Sequence, residues 1–134
     1  MSNPNDLPCV LIVDDEPLIM ELLQGALDDA GFDTILAADV DEAFALLETN
    51  GSRLVGVVTD INLGSAVGGW DVGRRAREQN AEVAVVYCSG ASVHEWPTKG
   101  VPKSVVLTKP FAPAQVVVAL VNQINASSPG GQDV

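Results

Sequence analysis

Three stretches of this chain are apolar at almost every position, and they limit the possible folds more than any other feature. Val10 to Val13, Leu54 to Thr59 and Val83 to Cys88 lack the in-out alternation of a half-exposed strand. Short β-branched runs without alternation read as strands buried on both faces, the situation of the interior of a parallel sheet. Helical spacing fills the gaps between them. Leu18, Ile19, Leu22, Leu23, Ala26, Leu27 and Ala30 share one helical stripe, and Gly31 stands where a C-terminal cap belongs.

The same alternation continues to the end of the chain. Asp33 to Ala38 reads as a short second strand, and Asp39 with Glu42 forms a capping-box pattern ahead of Ala43, Leu46 and Leu47. Gly51 closes that helix. After the third strand comes a Gly-rich loop, then a helix over Trp70 to Gln79, with the fourth strand following. Ser104 to Thr108 reads as a fifth strand. A last helix begins near Ala112 or Pro113 and carries Val116, Val117, Leu120, Val121 and Ile124. Strands alternating with helices at these intervals predict an α/β layer fold around a parallel sheet. With 134 residues the chain forms one domain, its folded core at about 8–126 and flexible ends at 1–7 and 127–134. No internal repeat is visible.

Polar residues gather at one place in this scheme. Asp14 and Asp15, followed by Glu16, close the first strand; Asp60 closes the third, Ser89 the fourth and Lys109 the fifth. In open parallel sheets, ligand chemistry sits at those carboxyl ends. Composition narrows the partners. Seven Lys and Arg against 18 Asp and Glu give a formal net charge of −11, which argues against nucleic acid or an anionic membrane as a direct ligand. Arg74, Arg75 and Arg77 form the one dense basic cluster and read as a solvated helix face. No apolar run is long enough to span a bilayer, and MSNPNDLP lacks the features of a signal peptide, so a cytoplasmic protein is expected. Cys9 and Cys88 lie in or beside strands and read as buried, reduced thiols. No zinc-site spacing occurs.

IVDDEP at 12–17, VVTDINLG at 57–64, YCSG at 87–90 and LTKPF at 107–111 resemble the receiver domain of two-component response regulators. The resemblance extends from Cys9 to about Ala126. It implies a flavodoxin-like, doubly wound sheet of five strands in the order 2-1-3-4-5, with helices on both faces. It also implies a single-domain response regulator whose Asp60 accepts a phosphoryl group from a sensor histidine kinase or phosphotransfer protein. Asp15, Asp60 and the backbone carbonyl of Asn62 would hold Mg²⁺, with Asp14 assisting. Ser89 and Lys109 would contact the phosphoryl oxygens, the lysine reaching across two strand spacings, roughly 10 Å. Such a chain modifies itself and turns over no external substrate. Its downstream protein is unknown, and a monomer or weak dimer is expected. Taken singly, Asp14 or Asp15 is a helix N-cap, Asp60 a turn residue, Ser89 a cap and Lys109 a surface lysine; together, at four strand ends, they point to a phosphoacceptor.

The chain departs from the family pattern in three places. Val106 stands where an aromatic residue usually changes rotamer on activation, so either another residue switches, Tyr87 being the candidate, or the response is muted. Between Ser89 and Lys109 a full fourth helix is expected of the family, yet Pro97, Gly100 and Pro102 interrupt the stretch. Ser92 and Glu95 are placed to cap one turn, Pro97 to break it, and an irregular loop to follow. Single-domain receivers paired with atypical histidine kinases are similar in both the YCSG strand end and the reduced helix. The loop bearing Gly64, Gly68 and Gly69 is expected to be mobile. Asn62 and the small Ala91 flank the site and suggest open access for water, hence a short-lived phosphoryl group. His94 reads as a loop residue, Trp70 as packing, and Trp96 as either edge packing or a partner contact.

Three other readings compete. A pseudo-receiver would bind partners independently of phosphorylation. A Mg²⁺-dependent phosphohydrolase would want Asp-x-Asp after the first strand, where this chain has adjacent Asp14 and Asp15. A nucleotide cradle at that loop would be repelled by its acids.

Overall fold

The computed structural model describes residues 7–64, 67–90 and 93–127. Five strands, β1 (Cys9–Val13), β2 (Asp33–Ala37), β3 (Leu54–Asp60), β4 (Ala84–Ser89) and β5 (Val105–Thr108), form one sheet in the order β2-β1-β3-β4-β5. All four pairings are parallel. The apolar runs are thereby explained. Val10 and Ile12 of β1 turn to one face with Val58, Val86 and Cys88, while Leu11 and Val13 turn to the other with Val57, Val85 and Tyr87. Every residue of β1 is buried because both faces are covered.

Helices α1 (Pro17–Asp29) and α5 (Pro113–Ser127) cover the first face through Leu23, Leu27, Val116 and Leu120. Helices α2 (Val40–Asn50) and α3 (Gly69–Gln79) cover the second through Ala43, Leu47, Trp70, Val72 and Ala76. The local signals place these elements. Pro17 opens α1, where a missing N–H costs nothing. Gly31, at φ 94°, ends it: the Gly31 and Phe32 amides donate to the Asp28 and Leu27 carbonyls in a Schellman turn. Asp39 Oδ1 accepts the Glu42 amide at 2.8 Å; Glu42 reaches back one residue further than the motif predicts, to the Ala38 amide at 2.6 Å.

The reduced fourth helix is present, with a different cause from the one expected. A 3₁₀ turn over Val93–Glu95 leads into α4 (Trp96–Lys99), and Pro97 lies within its first turn rather than at its end. Gly100 stops the helix; a Cβ there would lie 2.4 Å from the Trp96 ring. Glu95 pairs with Lys99 at 3.2 Å, and Ser92 lies outside the described residues. The segment that follows is irregular but fastened. The Val101 amide donates to Tyr87 Oη at 3.2 Å, Ser104 Oγ to the Val101 carbonyl at 2.6 Å, and Trp96 Nε1 to Ser104 Oγ at 2.9 Å. Trp96 is thus an edge-packing residue.

The arginines of α3 meet the expectation of a solvated face only in part: Arg74 is exposed and Arg75 half-exposed, but Arg77 is turned to backbone carbonyls. Arg77 donates from Nε to the Val83 carbonyl at 2.7 Å and from its guanidinium to the Pro102 carbonyl. Arg74 pairs with Asp71, and Arg75 lies over the Phe44 ring at 4.6 Å. The Gly-rich loop is likewise partly constrained. Gly64 has φ 78°, while a Cβ on Gly69 would sit 2.1 Å from the Asp60 carbonyl oxygen, so the start of α3 packs directly under β3. Ser65 and Ala66 lie outside the described residues. Trp70 is buried against Tyr87, ring centroids 4.7 Å apart.

Gly73 gives a test of this packing. Alanine normally stabilises a helix interior by about 1 kcal/mol over glycine. Here its Cβ would lie 2.2 Å from Tyr87 Oη. Gly73→Ala is expected to destabilise the domain by about 1–3 kcal/mol in urea unfolding, as overpacking does. Tyr87→Phe in the same background should recover part of that loss.

Candidate functional site

Sheet geometry brings the acidic strand ends together. β1 lies between β2 and β3, so Asp14 and Asp15, just past β1, face Asp60 at the end of β3. Each of the three offers a carboxylate oxygen, and these oxygens lie within 4.8 Å of one another. Asp14 and Asp60 are buried, at 2% and 7% exposure, while Asp15 is exposed. Asp14 does part of a cap's work, its Oδ1 accepting the Glu16 amide at 2.8 Å, although Glu16 itself is the residue that precedes α1.

Lys109 reaches this cluster from β5, two strands away from β3. Its Nζ donates to Asp60 Oδ2 at 3.2 Å and lies 3.7 Å from Asp14 Oδ2 and 3.5 Å from Glu16 Oε1. The backbone holds it in place: the Lys109 amide donates to the Ser89 carbonyl at 2.8 Å. Ser89 ends β4 fully buried, beside the Ile61 amide that donates to the Cys88 carbonyl. Asn62 enters the site through its amide, which donates to Asp60 Oδ1 at 3.3 Å. Thr59 Oγ1 donates to the Asp60 carbonyl at 2.9 Å.

All six residues singled out from sequence (Asp14, Asp15, Asp60, Asn62, Ser89 and Lys109) therefore lie at the carboxyl edge of the sheet. Ala91 falls outside the described residues. Glu16 was read only as part of the acidic run; its contact with Lys109 follows from its place as the third consecutive acid. Tyr87, the candidate to replace the aromatic missing at Val106, lies behind the site, fully buried. Val106 is half-buried against the same core.

The charges are strongly coupled. Burial pushes the Asp60 carboxyl above its ordinary value, against the pull of Lys109 and the Asn62 amide. Burial raises Asp14 as well, against the Glu16 amide and Lys109. For Lys109 burial disfavours the charge, but Asp60 and Asp14 outweigh it and its pKa is raised. Cys88, next to Ser89, has its thiol pushed up to about 12 by burial. Three oxygens from carboxylates form a hard donor set suited to a hard divalent cation, and a single ammonium does not neutralise Asp14, Asp60 and Glu16 together.

A five-stranded parallel sheet with an acidic cluster and a lysine at its carboxyl edge defines a signalling receiver fold. The family model of the response regulator receiver domain matches residues 10–121, and the chain belongs to that family. A solved response regulator receiver protein from Sinorhizobium medicae superposes with a TM-score of 0.85 at 36% identity, covering 90% of this chain and 97% of that one. The nitrogen assimilation regulatory protein NtrX of Azorhizobium caulinodans is 33% identical over 81% of this chain and 24% of its own length. The alkaline phosphatase synthesis regulator PhoP of Bacillus subtilis is 29% identical over 92% of this chain and 52% of its own length. The chain thus spans about half or less of these two regulators. No helix among the described residues is long and apolar enough to cross a membrane.

Because the folded state holds the Asp14 and Asp60 protons more tightly than the unfolded chain, their contribution to stability is complete below the ordinary aspartate value of 3.8 and is lost as pH rises through the raised values. In metal-free buffer, Asp14→Asn should therefore melt higher than the parent at pH 7, by roughly the 4 °C that about 1 kcal/mol is worth in a domain this size. The difference should shrink towards pH 3.5. An equal or lower melting temperature at pH 7 would mean that the lost Lys109 pairing outweighs the relieved burial.

Proposed function

We propose that this chain is a response regulator of the single-domain type that accepts a phosphoryl group on Asp60 and signals through contacts with another protein or drains phosphate from a relay. The reading rests chiefly on Lys109, whose ammonium crosses β4 to lie 3.2 Å from Asp60 Oδ2 within the acidic cluster. The likeness to the Sinorhizobium medicae receiver supports the receiver part of this reading.

The chemistry follows from the residues. An Asp60 carboxylate oxygen attacks the phosphorus of a phosphohistidine on a sensor kinase or phosphotransfer protein. A P–O bond forms, the P–N bond breaks, and the electron pair returns to the imidazole. Asp60 must be ionised to attack, which the adjacent ammonium favours against burial. Lys109 then shifts from the Asp60 carboxylate to the new phosphoryl oxygens, and Ser89 donates its hydroxyl to one of them. Asp14, Asp15, Asp60 and the Asn62 carbonyl would hold Mg²⁺, which when bound supplies positive charge offsetting the repulsion between carboxylate and phosphoryl oxygens. The reaction modifies the chain's own side chain, so we do not read it as an enzyme acting on an external substrate. Water would hydrolyse the acyl phosphate later, and a short phosphoryl lifetime is expected. The net charge of −11 favours protein partners over nucleic acid.

Intact-mass spectrometry after incubation with Mg²⁺ and a small acyl phosphate tests this directly. The parent should gain one phosphoryl group and Asp60→Asn none. Absence of gain from both small donors and candidate kinases would replace the proposal with a binding module that works without phosphorylation. Cation binding has its own readout. At ten times its dissociation constant, Mg²⁺ should stabilise the parent by about 1.4 kcal/mol in thermal unfolding. Asp15→Ala should lose most of that gain.

A further inference from the structure

We propose that Glu16 is a positioning residue for Lys109, its carboxylate keeping the ammonium beside the acidic cluster when a divalent cation is bound there. The inference rests on the phosphoacceptor reading of the site and concerns the one acid there that this reading leaves without a role. Glu16 is the wrong residue for its place in the chain. It stands at the N-cap of α1, with extended backbone at φ −101° and ψ 110°, where short Ser, Thr, Asp or Asn side chains fold back onto the helix amides. Glu16 makes no such bond. Its main chain is nevertheless fixed on both sides. The Glu16 amide donates to Asp14 Oδ1 at 2.8 Å, and its carbonyl accepts the Met20 amide at 3.1 Å. From that fixed point the side chain reaches Lys109 Nζ at 3.5 Å. A residue that does nothing as a cap thus supplies a carboxylate to the lysine.

The acids around Lys109 divide into two sets. Asp14 and Asp60 lie 3.7 and 3.2 Å from Nζ, and both also belong, with Asp15, to the cluster suited to a divalent cation. Glu16 pairs with Lys109 but lies outside that cluster. With a cation bound by Asp14, Asp15 and Asp60, the ammonium shares two of its three partners with a second positive charge that repels it. Glu16 is the partner it keeps.

The surroundings leave the lysine few alternatives. Glu16 and Lys109 are the two charged residues lining a groove between α1 and the segment after β5, whose other walls include Ile19, Leu22, Phe111 and Pro113. An ammonium pushed from the cluster towards this groove meets apolar side chains and one carboxylate. The chemistry needs it to stay close, because Lys109 must reach the phosphoryl oxygens on Asp60 while the metal site is filled. A lysine without a counter-charge would either compete for Asp14 and Asp60 or swing into water. Glu16 prevents both. Its side chain is 60% exposed, so solvent screens the pair and the effect is modest.

Isothermal titration calorimetry of the full chain with MgCl₂ tests this through a double-mutant cycle of Glu16→Asp and Lys109→Met. Glu16→Asp keeps the formal charge and shortens its reach by a methylene group. It should raise the Mg²⁺ Kd about threefold at low salt, the size expected of a largely exposed ion pair. In the Lys109→Met background the same substitution should change the Kd by less than about 1.5-fold. A better helix cap at position 16, or charge acting at a distance, would alter both backgrounds alike. Equal effects in the two backgrounds therefore overturn the proposal. So does a Glu16→Asp chain that binds Mg²⁺ like the parent, whether or not Lys109→Met folds, and so does a parent with no measurable Mg²⁺ binding. Intact-mass spectrometry of the same samples with an acyl phosphate keeps the two readings apart. A parent that gains a phosphoryl group without the coupling refutes the role of Glu16 alone. Coupling without phosphoryl gain supports that role and refutes the phosphoacceptor.

Discussion

Asp14 and Asp60 hold carboxylates at the edge of an apolar sheet, where burial penalises their charge, and Lys109 is the group that makes this tolerable. Its position depends on the fold at every level. The ammonium reaches Asp60 because β4 alone separates β5 from β3, and its stem is directed by the hydrogen bond from its own amide to the Ser89 carbonyl. The apolar runs of β1, β3 and β4 place those strands inside the sheet, where both faces are covered. Removing polar side chains from the sheet interior leaves its carboxyl edge as the place where they converge. One half-buried cation against several acids is an incomplete balance, and that residual charge is the physical basis for a divalent ion at the site.

Much of this was legible in sequence because it depends on local rules. Unalternating β-branched runs mark β1, β3 and β4; Gly31 and Asp39 mark helix ends; acids and a lysine at strand ends mark the site. What escaped depends on which distant atoms meet after folding. Arg77 looks like any surface arginine of α3, but it binds carbonyls of Val83 and Pro102. Nothing near Gly73 in sequence announces that Tyr87 Oη fills the space a methyl group would need. Pro97 was read as a helix breaker from its type alone, whereas its effect depends on the turn it occupies, and in a first turn proline is compatible with the helix.

The segment replacing a full fourth helix has a structure of its own. Trp96, Ser104, Val101 and Tyr87 form a continuous chain of hydrogen bonds from the start of α4 to the middle of β4. Arg74 and Arg77 add bonds from α3 to the carbonyls of Lys99 and Pro102. The segment is held both by apolar packing of Trp96 and Val101 on the core and by backbone carbonyls gripped by side chains. Val106, aliphatic and half-buried, packs on the same core without a polar tip, so the hydroxyl that contacts this segment comes from β4 rather than β5.

The two cysteines bear on how this chain is labelled. Cys9 and Cys88 are both buried in strands, and the Cys88 thiol is held protonated far above neutral pH. A maleimide or nitroxide reagent needs an accessible thiolate. The native chain therefore offers such reagents a silent background. A single cysteine introduced on the surface of α4 or α5 becomes a unique attachment point for a fluorophore or spin label, with both natural thiols left in place.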